Sequence, residues 1–371
     1  MHKTPTLVIL TPGFPKDESD TTCLPLQQTL VKAIKRNYPE MEVLILSFQY
    51  PFKSRRYSWN SISVKAFGGK GRGKLFRVYN WVKVWFAFKR IRKEYDVIGL
   101  LSFWLGECAF IGEKFAKAYN LKHYCWVLGQ DAKPNNRYYK MTKMDGSSLL
   151  ALSDFLASNI YINYGVMPQH IIPGGIDAGQ FNNEHNERRI DVLGAGSLIS
   201  LKQYHLFIEV ICRLRHRFPQ VKATLCGDGP DKKRLLQMIK KLKMEEHITL
   251  AGEIPHNQVL DLMQQCKVFL HTSNYEGLGM VCLEALYAGA KVISFVKPMD
   301  DDIENWHIVD NTYQMAGIAE LILQDGELKY NRIVPYKIAD TAKQIVQLYL
   351  DKPLTTSLNR KAIAAKESVA W

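Results

Sequence analysis

Short apolar, β-branched runs alternate with amphipathic stretches along most of this chain, and no other feature restricts its fold as strongly. The runs fall at residues 7–10, 43–47, 97–102, 124–127 and 149–152, with helical periodicity between them, as at 26–34 and 108–118. A second series begins near Ile190, with runs at 191–195, 222–226, 248–251, 268–271 and 291–295. Helical stretches at 204–217, 232–242, 257–265 and 280–288 separate them. A strand that returns to its sheet through a helix lies parallel to its predecessor, so each series predicts an open parallel sheet covered by helices. Two such halves in tandem predict an α/β chain of two Rossmann-like, doubly wound domains facing a central cleft. Sheets of this kind bind ligands outside the carboxyl ends of their strands.

At 371 residues the chain exceeds what one core sustains. The join is expected in the polar stretch 179–189, just after the turn Pro173-Gly174-Gly175-Ile176-Asp177. The predicted domains are 1–178 and 186–335. Residues 336–371, with a helix at 341–350, are expected to pack back on the first domain. A composition 47% hydrophobic and 23% charged excludes a disordered chain. No apolar run reaches the roughly 20 residues of a membrane-spanning helix. Residues 7–10 are too short for a signal-peptide core, so a cytoplasmic location is expected. The seven cysteines form no CxxC pair and mostly sit in apolar stretches, which reads as buried reduced thiols rather than zinc ligands.

The net charge of +13 is confined to one segment. Residues 53–93 hold 13 Lys and Arg and no Asp or Glu; the remaining 36 basic residues match the 36 acidic ones. A block of one sign points to an anionic partner. Its aromatic residues include Trp59, Phe67, Phe76, Tyr79, Trp81, Trp85, Phe86 and Phe88, and 75–91 can form a helix with an aromatic side and a basic side. Two readings stand here: an anionic membrane surface as partner, or a core-packing helix whose basic side is solvated. A nucleic-acid binder would show a recognisable module, and none appears; nucleic acid is not expected as a partner.

The chemistry concentrates between Tyr275 and Gly289. Gly277 and Gly279 let backbone approach a ligand closely, and a helix then begins. That helix is apolar nearly all round, which predicts burial, and Glu284 is its only charge. A buried carboxylate needs a partner. Ligand hydroxyls would serve, as would a Lys or Arg from elsewhere. The free N–H groups at the helix start suit an anion such as a diphosphate.

Glu276 and Glu284 resemble the Glu-x7-Glu pair of family-4 glycosyltransferases, retaining enzymes of the GT-B fold whose second domain binds most of the nucleotide-sugar donor. The resemblance implies that Glu276 meets the donor sugar and Glu284 the ribose, with Gly277, Leu278, Gly279 and Met280 beside the diphosphate. Gly194-Ala195-Gly196-Ser197-Leu198 followed by Lys202 is similar to the family's strand, turn and phosphate-binding Lys; Ser197 stands where the family often has Arg. Gly227-Asp228-Gly229-Pro230 resembles a donor-side turn, and Ile254 lies in a loop that resembles the one facing the nucleobase. In the first domain, Thr11-Pro12-Gly13-Phe14-Pro15 looks like the family's glycine loop over the diphosphate and acceptor. Gly129-Gln130-Asp131 resembles a segment that commonly reads His-Gly-x-Asp, with Leu128 in the histidine's place and Asp131 left to touch acceptor or sugar.

The resemblance implies an acceptor-side first domain and a donor-side second one. It implies retaining transfer to a glycan or lipid-linked acceptor, in polysaccharide or glycoconjugate synthesis, at the inner face of a membrane if the basic segment docks there. Glu276, Lys202 and Asp131 are the expected catalytic residues. No cofactor or metal is expected, since Asp300-Asp301-Asp302 splay apart and read as a solvated cap. A nucleotide-sugar epimerase of similar fold is the alternative enzyme.

Overall fold

The computed structural model of the chain describes residues 3–69, 73–182 and 187–350. Lys70 and Arg72 of the basic segment, residue 186 at the expected domain start and the tail 351–371 lie outside them. The chain divides into two compact units. The first comprises Met1–Leu152, Ala157–Pro173 and the chain from Ile338; the second comprises Ser153–Leu156 and Gly174–Lys337.

In the first unit the described strands are β1 (Pro5–Gly13), β2 (Glu42–Tyr50), β3 (Arg55–Trp59), β4 (Ile62–Ala66), β5 (Asp96–Phe103), β6 (Lys122–Val127), β7 (Leu149–Ala151) and β8 (His170–Ile171). They form one sheet in the order β3-β4-β2-β1-β5-β6-β7-β8. All pairings are parallel except the β3–β4 hairpin, which lies inside the basic segment and carries no strong apolar run. Helices α1 (Pro25–Asn37), α2 (Lys74–Glu94), α3 (Glu107–Tyr119), α4 (Arg137–Thr142) and α5 (Asp154–Tyr164), which belongs to this unit from Ala157 on, follow in chain order. A core of Val8, Leu10, Leu46, Phe88, Leu100 and Phe115 joins the sheet to α2 and α3.

The second unit has strands β9 (Ile190–Ala195), β10 (Ala223–Cys226), β11 (Ile248–Gly252), β12 (Cys266–His271), β13 (Lys291–Ser294) and β14 (Trp306–Ile308). Between them run α6 (Tyr204–Arg217), α7 (Lys232–Lys241), α8 (His256–Gln265) and α9 (Met280–Tyr287), followed by α10 (Thr312–Gln324). The sheet is parallel throughout, in the order β11-β10-β9-β12-β13-β14. Counted from β9 this is 3-2-1-4-5-6, the doubly wound order whose switch point lies between the first and fourth strands.

The final helix, α11 (Ile338–Gln347), lies in the first unit. Its Thr341 hydroxyl donates to the Pro173 carbonyl at 2.8 Å, and the buried Tyr349 hydroxyl donates to the Leu100 carbonyl at 2.7 Å. Among the described residues no helix is long and apolar enough to cross a membrane. The cysteines are free thiols, with Cys108, Cys125, Cys226, Cys266 and Cys282 buried.

Candidate active site

In the second unit, the loops leaving β9 and β12 meet at the switch point. The Thr272 hydroxyl donates to the Lys202 carbonyl at 2.7 Å, and the Ser273 hydroxyl to the Leu201 carbonyl at 3.2 Å. These bonds tie the turn carrying Lys202 to the loop carrying Glu276. The two side chains then meet as an ion pair, 18% and 22% exposed. His271, at the buried end of β12, places Nε2 at 2.9 Å from the same carboxylate oxygen. The Gly277 amide closes on the other oxygen at 3.3 Å.

Burial alone would raise the Glu276 pKa. The His271 hydrogen bond and the Lys202 charge outweigh it and hold the carboxyl at about 2. Burial, assisted by the Lys202 charge, pushes His271 below its ordinary value. The neutral ring therefore donates its Nε2–H to Glu276. The site presents an ionised carboxylate, a cation and a neutral imidazole on fixed loops.

Glu284 lies one helix further on. Along α9 only Met280, Val281 and Glu284 are not buried, so a single strip of the helix opens outward. The partner of Glu284 is a histidine, not Lys or Arg: Glu284 Oε1 lies 2.9 Å from His256 Nε2 at the start of α8. Burial pulls the His256 pKa down, but the Glu284 hydrogen bond and charge win and raise it. The sign follows: this pair contributes stability fully below about 6.5, the free imidazole value, and loses it as pH rises through the folded value. A His256→Phe variant is expected to lack that alkaline loss in denaturation midpoints measured from pH 5 to 9.

The glycine turns have distinct tasks. Gly279 has φ +72° and caps α9 without a side chain. Gly227 has φ +138°, and a Cβ there would stand 1.9 Å from the Gly196 carbonyl oxygen. Gly196 donates to the Cys226 carbonyl at 3.0 Å and Gly227 to the Gly252 carbonyl at 2.7 Å, so the ends of β9, β10 and β11 form one stitched rim. Asp228 accepts from Lys232 at 2.6 Å and from the Gly229 amide at 2.7 Å. Ser197 is exposed on the first of these loops, Ile254 is half-buried after β11, and Leu278 is buried. The Gly277 carbonyl accepts from the hydroxyl of Ser153, a residue over 120 positions earlier that belongs to this unit.

The first unit has its own switch point, between β1 and β5. A cavity of about 290 Å³ there is lined by Pro12, Gln49, Trp104, Glu107 and Arg137 among others. Glu107 is buried and accepts from Gln49 Nε2 at 2.7 Å and Trp81 Nε1 at 3.2 Å, with Arg77 Nε at 3.8 Å. Trp104 holds φ +62°, a strained value for a bulky residue. At the end of β1, the Gly13 carbonyl accepts from the Thr11 hydroxyl at 2.6 Å. Asp131 is half-buried. Its carboxylate accepts the backbone N–H of Leu105 and Gly129, both at 2.8 Å, and of Leu128. Burial nevertheless pushes its pKa up to about 6. Asp131 thus fastens the loops that leave β5 and β6.

Residues 176–324 match the family described as glycosyl transferases group 1. The fold is GT-B. Sucrose-phosphate synthase from Thermosynechococcus elongatus has TM-score 0.69 at 16% identity, covering 98% of this chain and all (100%) of that one. Anabaena HepE in complex with UDP and glucose has TM-score 0.61 at 17% identity, covering 99% and 100%. In sequence, the phosphatidylinositol N-acetylglucosaminyltransferase gpi3 subunit of Schizosaccharomyces pombe is 25% identical over 64% of this chain and 48% of its own length. A Mycobacterium tuberculosis glycogen synthase is 25% identical over 47% and 43%. The chain thus spans about half the length of the curated relatives it matches. Lys202, Glu276 and Glu284 all fall within the matched segment.

Proposed function

We propose that this chain is a retaining glycosyltransferase that moves a sugar from a nucleoside-diphosphate sugar to a glycan or lipid-linked acceptor in glycoconjugate or polysaccharide synthesis. The observation that carries the reading is the Lys202–Glu276 pair at the switch point of the second unit, with Glu284 on the helix that follows Glu276 in the chain. Names of the proteins it resembles, which bind UDP and glucose or transfer N-acetylglucosamine, support a donor of this class.

In this reading Glu284 accepts from the ribose hydroxyls and the amides beginning α9 face the diphosphate. Lys202 turns from the carboxylate to the β-phosphate and stabilises the charge that grows as the glycosidic bond to phosphate breaks. Glu276, still gripped by His271, accepts from the sugar hydroxyls. The diphosphate charge is met by Lys202 and backbone amides, so the chemistry as proposed calls on no metal. The acceptor occupies the first unit's switch-point cavity, where Glu107 and Arg137 supply polar contacts. Asp131 acts there as a positioning residue.

Thermal-shift scans against UDP-, GDP- and ADP-sugars test the donor. One of them at a hundred times its Kd is expected to stabilise the fold by about 2.7 kcal/mol, and Glu284→Ala should remove most of that gain. Proton NMR of the first product formed tests the stereochemistry; an inverted anomeric centre would overturn the retaining assignment.

A further inference from the structure

Helix α2 is apolar on two faces. The inner one, with Val84, Ala87 and Phe88 buried, packs in the first unit's core. The outer one carries Leu75 (89% exposed), Val78, Tyr79, Val82 and Phe86 (64% exposed). Their spacing of three or four residues puts all five within an arc of roughly 100°. An outward helical arc ordinarily carries polar groups; here it carries large apolar ones over three turns. The sequence expectation of one aromatic and one basic side is corrected by this arrangement, because the apolar residues divide between opposite sides.

Cations frame the outer stripe. The Lys83 ammonium lies 5.4 Å from the centre of the Tyr79 ring and that of Lys89 5.9 Å from the Phe86 ring. Exposed Lys89, Arg90 and Lys93 continue the same side of the helix. Next to α2 a cleft of about 370 Å³ is lined by Arg56, Lys65 and Arg90 together with Glu94. Arg90 pairs with Glu94 at 2.7 Å, and burial, with the like charges of Arg56, Lys83 and Arg90, depresses the Lys65 pKa.

We propose that the outer face of α2 docks on an anionic membrane leaflet, with Leu75, Val78, Tyr79, Val82 and Phe86 entering the interfacial layer and the flanking Lys and Arg meeting lipid phosphates. Charge complementarity selects this occupant: residues 53–93 hold 13 cations and no acid. A stripe of aliphatic and aromatic side chains ringed by long cationic ones is the composition that lies in a bilayer interface. This surface stands apart from the transfer chemistry, and its test does not depend on finding the donor.

The full chain is floated with phosphatidylcholine vesicles, with and without phosphatidylglycerol. It should bind the anionic vesicles and release them in high salt. Val82→Asp with Phe86→Asp should weaken binding more than tenfold while leaving the melting temperature unchanged, since both side chains are exposed. Lys89→Glu with Lys93→Glu should weaken it at least tenfold, at about fivefold per cation. Absence of binding to anionic vesicles overturns the proposal, as does binding that both double variants leave intact. If Val82→Asp with Phe86→Asp instead dissolves a dimer in sedimentation velocity and vesicle binding persists, the stripe is a self-association face and the proposal fails.

Discussion

A Lys202→Met enzyme will turn over its nucleotide sugar about 10²–10³-fold more slowly than the wild type, the usual cost of deleting one preorganised group that stabilises a leaving-group charge. The loss should appear in kcat, because the charge on the β-phosphate grows only as the bond breaks. The same substitution strips Glu276 of its cation. The carboxylate keeps His271, which is neutral, so its pKa will rise from about 2. A depressed carboxyl stabilises the fold above its unfolded value, near 4.3, and that contribution disappears as pH falls through the folded value. Wild type will therefore exceed the variant in stability at neutral pH. The gap should close as pH falls from about 4 towards 2, measured as urea midpoints. A His271→Asn variant separates positioning from charge: it keeps Lys202 and so retains more turnover than Lys202→Met.

Asp131→Ala is expected to be the most damaging single change to the fold among the residues discussed. It removes the carboxylate that the Leu105, Leu128 and Gly129 amides share. At about 1–3 kcal/mol for each amide that loses its acceptor, reduced because water reaches a half-buried site, the loss should be about 3 kcal/mol. Urea unfolding followed by tryptophan fluorescence would register it directly, since Trp104 and Trp126 adjoin those loops. Asp131→Asn retains one acceptor oxygen and should lose less than half as much.

The alternation of apolar runs is a local property, so the parallel sheets and the two-unit architecture were legible in the chain itself. Glu276 and Glu284 stood out as the charged positions of an otherwise apolar segment, whereas Lys202, which the structure brings against Glu276, was singled out only by the family resemblance. What holds them was not legible, because their partners are distant in the chain. His271 ends a buried strand and reads as core. His256 meets Glu284 from another helix, and Ser153 reaches Gly277 from far upstream. Gly13 shows the reverse: its backbone adopts no left-handed angle, and a Cβ added there would have Tyr50 Cβ as its nearest neighbour at 3.5 Å, an ordinary contact. The outer stripe of α2 was hidden by superposition, since two apolar faces on opposite sides of one helix cancel the periodic signal that marks either alone.

Calorimetric titration of the purified chain with UDP, GDP and ADP tests the central claim most directly. The account predicts that one of the three binds at a single site, and that Lys202→Met and Glu284→Ala each weaken it at least tenfold while the variants remain folded. Binding of none of them, or binding that both substitutions leave unchanged, would contradict a donor site at the switch point between β9 and β12.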